Sequence, residues 1–375
     1  MSKSWRLIED DEALTEALHE LSEVSTLAVD TEFMRRNTFY PQIALLQLCA
    51  GETAFLVDPL KVNDLDGIRD LLTRSNTVKL LHSCSEDLEV FRRWLGVLPQ
   101  PLVDTQRAAA LLGYGFGLGY RTLVNEVLGI ELDKGETRSD WLRRPLSDSQ
   151  CHYAAQDVLQ LFALWPALAE KAATQGRIEW MLEEGREALS ALQEREREIF
   201  RRIKGAGRLS QIQLSVLAQL SEWREDVAMR SDRPRGWVLE DKVCLAIAQA
   251  MPRSLEELRQ LDVVPATVLQ KRGDTLIERV HAGLNAPLEL MPAPNSRPLD
   301  SEQRRAIKVL RSASREIAET LHVAPEILMS GADLESLLRY SQGEAVAIPQ
   351  RWTGWREACV IEPLLTRLGT NLQQS

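Results

Sequence analysis

The sequence of 375 residues lacks several features that mark special classes of protein. No apolar run approaches the ~20 residues that a membrane-spanning helix needs. The N-terminal segment has no apolar core of the kind found in signal peptides, so we expect a cytoplasmic protein without a membrane contact. Five cysteines lie far apart without a C-x-x-C pair, and five histidines are not closely spaced. Disulfide scaffolds and zinc fingers are therefore excluded.

The sequence also lacks a net positive charge, since 45 Lys and Arg face 55 Asp and Glu, giving −10. That total by itself argues against a nucleic-acid partner. Its distribution changes the argument, because residues 1–192 carry −11, residues 193–290 carry +1, and residues 291–375 are neutral. The excess of acids is confined to the first half of the chain, and the second half can still present basic surfaces to phosphate.

Hydrophobic residues make up 44% of the chain and charged residues 27%, which is typical of globular protein. Two breaks divide it. The basic stretch 195–208 ends in Gly205-Ala-Gly207, and four prolines cluster in residues 285–298. We therefore predict an α/β domain at 1–200 and two all-α domains at 208–286 and 297–375.

The first of these domains alternates strand and helix patterns. Short β-rich runs occupy residues 26–33, 43–50, 54–58, 78–82 and 102–104, and helical patterns cover 64–73, 85–95 and most of 105–202. Three successive strands followed by strand–helix–strand crossovers predict a mixed sheet flanked by helices. Leu, Ile and Ala at spacings of three and four predict only helices in the two later domains.

Two carboxylates, Asp30 and Glu32, lie two residues apart at the end of an apolar strand. Alternation along the strand places both side chains on the same face of the sheet. Such a pair is costly unless a cation neutralises it, and hard oxygen ligands suit Mg²⁺ or Mn²⁺. Taken alone, the pair favours a polar strand end in solvent over a cation site.

Two other segments carry acids with the spacing of helices. Asp87 falls in the first turn of a predicted helix, where Ser83 and Glu86 have the spacing of a capping box. Tyr153 and Asp157 are four residues apart, so they share one face of a later helix. Each segment alone has a purely structural interpretation, either as helix-end charge or as core packing.

Together these residues resemble the DEDD family of 3′→5′ exonucleases in its tyrosine subclass. The resemblance implies a ribonuclease-H-like sheet and two divalent cations, Mg²⁺ or Mn²⁺, in one active site. It implies four metal ligands, namely Asp30, Glu32, Asp87 and Asp157. It also implies that these acids and Tyr153 are the catalytic residues, with Tyr153 orienting the attacking water.

Longer stretches are similar to bacterial ribonuclease D. They include DTEF-x-R, YPQIALLQL, SEDLEVF, VDTQRAAALLGYG and SDWLRRPLSDSQCHYAAQDV, and they cover most of the first 200 residues. Residues 208–286 resemble the helicase-and-RNase-D C-terminal (HRDC) domain, and residues 297–375 resemble a divergent second copy. Cys84 departs from the family, which often has a small residue there.

The resemblance implies a 3′→5′ exoribonuclease that releases 5′-mononucleotides. Its implied partner is RNA, with precursor tRNA 3′ ends as the substrate and no obligate protein partner. Two alternatives stay open: a DNA exonuclease with the same metal site, and an inert nucleic-acid-binding scaffold. We also expect that removal of residues 208–375 weakens RNA affinity and its salt dependence but leaves Mg²⁺-dependent cleavage measurable.

Several residues near these motifs are candidates for contact with the substrate. Phe33 follows Glu32 and could stack on a terminal base. The other candidates are arginines that could meet the phosphate backbone: Arg35, Arg36, Arg138, Arg143, Arg144, Arg233 and Arg235.

Overall fold

A computed structural model describes residues 4–133, 135–136, 139–194 and 198–372. Six strands form one sheet: β1 (Ser4–Ile8), β2 (Thr26–Met34), β3 (Gln42–Cys49), β4 (Thr53–Val57), β5 (Val78–Leu81) and β6 (Leu102–Asp104). Their order is β1-β4-β3-β2-β5-β6. β1–β4, β2–β5 and β5–β6 pair in parallel, whereas β3 and β4 are antiparallel. The predicted mixed sheet is confirmed, and β2 lies inside it with a strand on either side.

Strand β1 was missed by the sequence analysis. Its five residues, SWRLI, include only one that is fully buried, and the strand lies at an edge of the sheet. The alternation that predicts a half-buried strand is therefore weak here. Parallel pairing with β4, from Ser4 opposite Thr53 to Ile8 opposite Val57, holds this strand in place.

Among the described residues up to 194, seven helices accompany the sheet: α1 (Asp11–Glu20), α2 (Asp66–Thr73), α3 (Ser85–Leu95), α4 (Thr105–Leu111), α5 (Tyr120–Leu128), α6 (Asp148–Thr174) and α7 (Ile178–Glu194). The longest, α6, begins with a capping box in which Ser147 and Gln150 satisfy each other's backbone N–H groups. Its apolar face contributes Ala154, Val158 and Leu161 to the core. The prediction of flanking helices is confirmed.

The described residues within 35–42 and 192–298 form a compact unit of their own. Its helices are α8 (Gln211–Ser231), α9 (Arg235–Val238), α10 (Asp241–Ala250), α11 (Leu255–Gln260) and α12 (Ala266–Leu284). α8 and α12 pack closely because Gly283 has no side chain, since a Cβ there would lie 2.5 Å from the Cα of Val216. Phe200, in the basic stretch that the sequence suggested as a connector, is buried in this unit's core.

The last helices are α13 (Ser301–Leu321), α14 (Pro325–Leu328), α15 (Gly331–Ser341) and α16 (Glu362–Leu372). They belong to one compact unit with the sheet and its helices, formed by the described residues within 1–34, 43–191 and 299–375. Buried residues of both parts, such as Leu111, Leu164, Leu310 and Leu337, form one hydrophobic cluster. This apolar core is continuous from the sheet side of the unit into its C-terminal helices.

A buried ion-pair network joins the same two parts. Glu184 of α7, only 1% exposed, pairs with Arg107 of α4 and with Arg356, whose Nη1 lies 2.6 Å from Glu184 Oε1. The ring of Trp355 stacks on Trp180 with centroids 4.4 Å apart. Residues 299–372 therefore share a core with the predicted catalytic domain, which argues against the expectation that cleavage survives the removal of residues 208–375.

Candidate active site

Strand β2 supplies two of the predicted site residues. Asp30 and Glu32 lie at alternate positions near its C-terminal end, with Thr31 between them. The strand period of two brings both carboxylates to one place, as the sequence predicted.

Helix α6 supplies the third carboxylate. Oxygen atoms of Asp30, Glu32 and Asp157 all lie within 4.8 Å of one another, and the three side chains are half-buried. A set of carboxylate oxygens at this spacing fits a hard divalent cation such as Mg²⁺ or Mn²⁺, which prefers oxygen ligands. Glu32 and Asp157 are 125 residues apart in the chain, so only the fold creates this group.

Asp87 lies in the first turn of α3 and is buried. Its Oδ1 accepts a hydrogen bond from the hydroxyl of Thr31. Among the described residues it is not part of the 4.8 Å group, but its charge reaches both Asp30 and Glu32, whose pKa values it raises. The structure therefore brings three of the four predicted ligands within 4.8 Å of one another and links the fourth, Asp87, to strand β2 through Thr31.

The electrostatics of these four acids are those of a site that attracts cations. Burial is the main cause that raises their pKa values, to about 9 for Glu32 and to about 7 for Asp87 and Asp157. The pKa of Asp30 also lies well above its ordinary value, because burial is joined by the charges of Asp87, Asp157 and Glu32. Buried like charges repel, and a divalent cation among them removes the repulsion.

Tyr153 lies one helical turn before Asp157, and its hydroxyl is hydrogen-bonded to the Asp157 carboxylate. Burial, followed by the charges of Asp157, Glu32 and Asp30, raises the pKa of this phenol above its usual value. The hydroxyl thus keeps its proton at neutral pH and serves as a hydrogen-bond donor. The indole of Trp141 lies 6.1 Å from its ring, measured between centroids.

Gly135, in the segment that precedes α6, packs against the ring of Tyr153. A Cβ added at Gly135 would overlap the ring, with Cε2 of Tyr153 only 2.6 Å away. We expect Gly135→Ala to displace the ring and to lower kcat about a hundredfold, the cost of a misplacement of about 1 Å. The measurement is single-turnover cleavage of a labelled oligonucleotide at saturating protein.

The matched control for this substitution is Gly51→Ala, because among the described residues nothing lies within 4 Å of a Cβ at Gly51. Cation binding should be unchanged in both variants, since neither touches a carboxylate. A Gly135→Ala protein with the cleavage rate of the unsubstituted chain would show that the position of Tyr153 does not matter for catalysis.

Tyr120, at the start of α5, is a site residue that the sequence analysis missed. Its hydroxyl donates to the backbone carbonyl of Asp157 and lies 3.4 Å from that of Gln156. Burial, and then the charges of Asp157 and Asp30, raise the pKa of the Tyr120 phenol. No local pattern could have indicated this role, because the partner is a main-chain atom in a helix 37 residues away.

The capping box predicted for α3 is wrong. The helix begins after Cys84 without a side-chain cap, and Ser83 has a left-handed backbone with φ of 58°. The carboxylate of Asp104 instead accepts hydrogen bonds from the backbone N–H groups of Ser83 and Cys84. The hydrogen-bond acceptor at the start of α3 therefore comes from a residue about 20 positions later in the sequence, and not from the local capping pattern.

The predicted substrate contacts fall into different surroundings. Phe33 is half-buried at the end of β2, beside Glu32, and Arg35, Arg36, Arg143 and Arg233 are exposed. Arg138 lies outside the described residues. These positions leave Phe33 and the four exposed arginines as predictions.

Arg144 and Arg235, among the predicted arginines, pair with acidic side chains. Arg144 pairs with Asp58, which is fully buried, through Nε at 2.6 Å and Nη2 at 2.8 Å, and it also donates to the carbonyls of Ala44 and Trp141. These bonds engage most of its donors, so Arg144 is withdrawn as an RNA contact. Arg235 pairs with Glu225, and its guanidinium carbon lies 4.5 Å from the ring centroid of Phe39.

Comparison with known proteins identifies two regions of the chain. A family model for the 3′-5′ exonuclease matches residues 5–173, and a model for the HRDC domain matches residues 213–280. The first of these models covers the sheet and the helix that carry the acid cluster, so this part of the chain is a 3′→5′ exonuclease domain.

Similarity to complete relatives specifies the family. Ribonuclease D of Pseudomonas paraeruginosa is 41% identical over 366 residues, which is 96% of each chain. Ribonuclease D of Escherichia coli is 34% identical over 370 residues, covering 96% of this chain and 97% of the relative. Its crystal structure, of an exoribonuclease involved in structured RNA processing, gives a TM-score of 0.88 at 33% identity and covers 98% of this chain and 99% of the other.

The chain belongs to the ribonuclease D family, and it is a 3′→5′ exoribonuclease. Of the two alternatives left open by the sequence, the inert scaffold and the DNA exonuclease, neither agrees with this membership. In the part of the chain that the structure describes, no helix has the length and apolar character needed to span a membrane.

Proposed function

We propose that this exoribonuclease depends on two divalent cations, Mg²⁺ or Mn²⁺, and removes 5′-mononucleotides from RNA 3′ ends by the tyrosine-subclass mechanism. The observation that carries the proposal is the meeting of Asp30, Glu32 and Asp157 within 4.8 Å, with Tyr153 hydrogen-bonded to Asp157. Asp30, Glu32, Asp87 and Asp157 would hold the cations. When bound, these would supply the positive charge that activates water and stabilises the phosphoryl transition state.

The side chains of the site have separate roles in the proposed reaction. The three clustered carboxylates fix the place where a phosphodiester can be attacked, and Thr31 holds the fourth carboxylate by its hydroxyl. Tyr153 keeps its proton, so it orients an attacking water through its hydroxyl and does not act as a base. Tyr120 holds the main chain of α6 at Asp157, which keeps this arrangement rigid.

The proposal extends to the biological substrate and the helical regions. Precursor tRNA 3′ ends, processed in the cytoplasm without an obligate protein partner, fit the family and the structured-RNA role of the Escherichia coli relative. Residues 208–286 and 297–375 would be a first and a second, divergent HRDC domain, with 1–200 as the exonuclease domain. Phe33, Arg35, Arg36, Arg143, Arg233 and Arg235 remain proposed RNA contacts.

The test is cleavage of matched RNA and DNA oligonucleotides that carry a 5′ label, together with a tRNA bearing a short 3′ trailer. We expect the RNA to shorten one nucleotide at a time with release of 5′-monophosphates, and we expect chelation of divalent cations to stop the reaction. Internal cuts, products with 3′-phosphates, or activity that survives chelation would contradict the mechanism. A faster reaction on DNA would contradict the substrate.

A further inference from the structure

Asp104, the last residue of β6, has a buried carboxylate that ties two parts of the chain together. Oδ1 accepts from the backbone N–H of Ser83 at 3.0 Å and Oδ2 from that of Cys84 at 3.2 Å. Oδ1 also accepts from the N–H of Gln106 at 2.9 Å, which caps the following helix α4. The side chain is only 5% exposed, so water does not compete for these bonds.

The turn that Asp104 holds has an unfavourable conformation. Ser83 adopts a positive φ of 58°, which costs energy in a residue with a side chain. Helix α3, which starts two residues later, has no side-chain cap of its own. The charge-assisted bonds from the Asp104 carboxylate therefore stabilise a turn that the local sequence does not favour.

The same turn determines where α3 begins. The carbonyl of Cys84 accepts the N–H of Leu88 at 3.0 Å, which is the first helical bond of α3. Asp87 precedes Leu88, so its position follows from that of Cys84. On its other side, the Asp87 carboxylate accepts the hydroxyl of Thr31 from strand β2, which also carries Asp30 and Glu32.

The neighbouring contacts fix Asp104 itself. Leu81 and Asp104 are partners in the parallel pairing of β5 with β6. Next to them, the hydroxyl of Thr105 donates to the carbonyl of Leu81 at 3.0 Å and lies 2.9 Å from Nδ1 of His82. These contacts fix the position of the Asp104 carboxylate. Its hydrogen bonds to Ser83 and Cys84 in turn fix the start of α3.

We propose that Asp104 is a positioning residue, which holds Asp87 at the correct distance from Asp30, Glu32 and Asp157 and thereby sets the affinity of the site for divalent cations. This inference rests on the proposed metal-dependent function. Residues that orient a metal ligand in this way change metal affinity by about 10–100-fold when they are replaced. The affinity for RNA should not change, because Asp104 is buried and its carboxylate is bonded to backbone N–H groups.

The test is Asp104→Asn, an isosteric change that replaces one acceptor oxygen by an NH₂ group facing a backbone N–H. We expect calorimetric titration with Mn²⁺, in the absence of RNA, to show about 10-fold weaker binding. The Mn²⁺ concentration for half-maximal cleavage should rise by the same factor, and saturating Mn²⁺ should restore kcat. KM for a single-stranded RNA should stay unchanged.

The control is Asp10→Asn, which removes a comparable cap, since Asp10 accepts the backbone N–H of Ala13 at 2.8 Å at the start of α1. Its Mn²⁺ affinity should equal that of the unsubstituted chain. If Asp104→Asn does not fold, the double variant with Ser83→Gly is titrated instead, because glycine adopts the positive φ without strain.

The outcomes separate this inference from the proposed function. Unchanged Mn²⁺ affinity in the Asp104 variant, or an equal loss in Asp10→Asn, would overturn the positioning role. Failure of the unsubstituted chain to bind Mn²⁺ or to cleave RNA would overturn the proposed function itself.

Discussion

Asp30→Asn should abolish measurable exonuclease activity while making the cation-free protein more stable. Cation-assisted stabilisation of the transition state is worth several kcal/mol, and each 1.4 kcal/mol is tenfold in rate, so the expected loss is about a thousandfold or more. The gain in stability follows because burial and the charges of Asp87, Asp157 and Glu32 all disfavour an ionised Asp30. A neutral amide of the same shape removes that repulsion.

Two measurements check this prediction together. Cleavage of a labelled RNA gives the rate, and thermal unfolding with and without Mg²⁺ gives the stability. Without cation we expect about 1 kcal/mol of stabilisation, which is about 2–4 °C in Tm for a unit of this size. Mg²⁺ should raise the Tm of the unsubstituted chain and have little effect on the variant.

Asp70→Asn is the control, since Asp70 is an exposed acid on α2 in the same unit. It should leave both the rate and the response to Mg²⁺ unchanged. An Asp30→Asn protein that cleaves RNA at the normal rate, or that is clearly less stable without cation, would contradict the placement of Asp30 in a cation site.

Removal of residues 299–375 should prevent the exonuclease unit from folding cooperatively. These residues share a hydrophobic cluster with the sheet and its helices, and their loss would uncover apolar surface on α4, which packs against α14. It would also take Arg356 away from Glu184, a carboxylate that is 1% exposed. A folded protein is stable by only about 5–15 kcal/mol. We expect the combined loss of the buried apolar contacts and of this ion pair to exceed the free energy of unfolding of the remaining unit.

A single substitution tests the same contact without removing any chain. Arg356→Met breaks the buried pairs with Glu184 and Glu187 and the bonds to the carbonyls of Ile327 and Leu328. Because Arg107 still faces Glu184, we expect a loss near the lower end of the range for broken buried pairs, about 3 kcal/mol. Urea unfolding of the full-length protein measures it.

The matched control is Arg367→Met, which breaks the pair with Glu316 on the surface of the same unit, where both side chains are about half exposed. Exposed pairs contribute about 0–1 kcal/mol, so this variant should unfold almost like the unsubstituted chain.

A shortened protein, ending at residue 298, that unfolds cooperatively and cleaves RNA normally would show that the last helices are dispensable.

The sequence alone determined those features of this protein that depend on local periodicity. The strand period of two put Asp30 and Glu32 on one face, and the helical period placed Tyr153 beside Asp157. Turn residues and apolar runs located five of the six strands and separated the mixed α/β part from the helical parts. These signals work because both members of each pair lie within one element.

Only the tertiary structure decided the contacts between elements that are distant in the chain. Arg144 was a predicted RNA contact until its partner Asp58, 86 residues earlier, showed that it is structural. Ser83 and Glu86 have the spacing of a cap, but Asp104 provides the acceptor. The last helices have the composition of an independent domain and yet share the core of the exonuclease unit, because composition records how much apolar surface a segment buries and not against which surface it is buried.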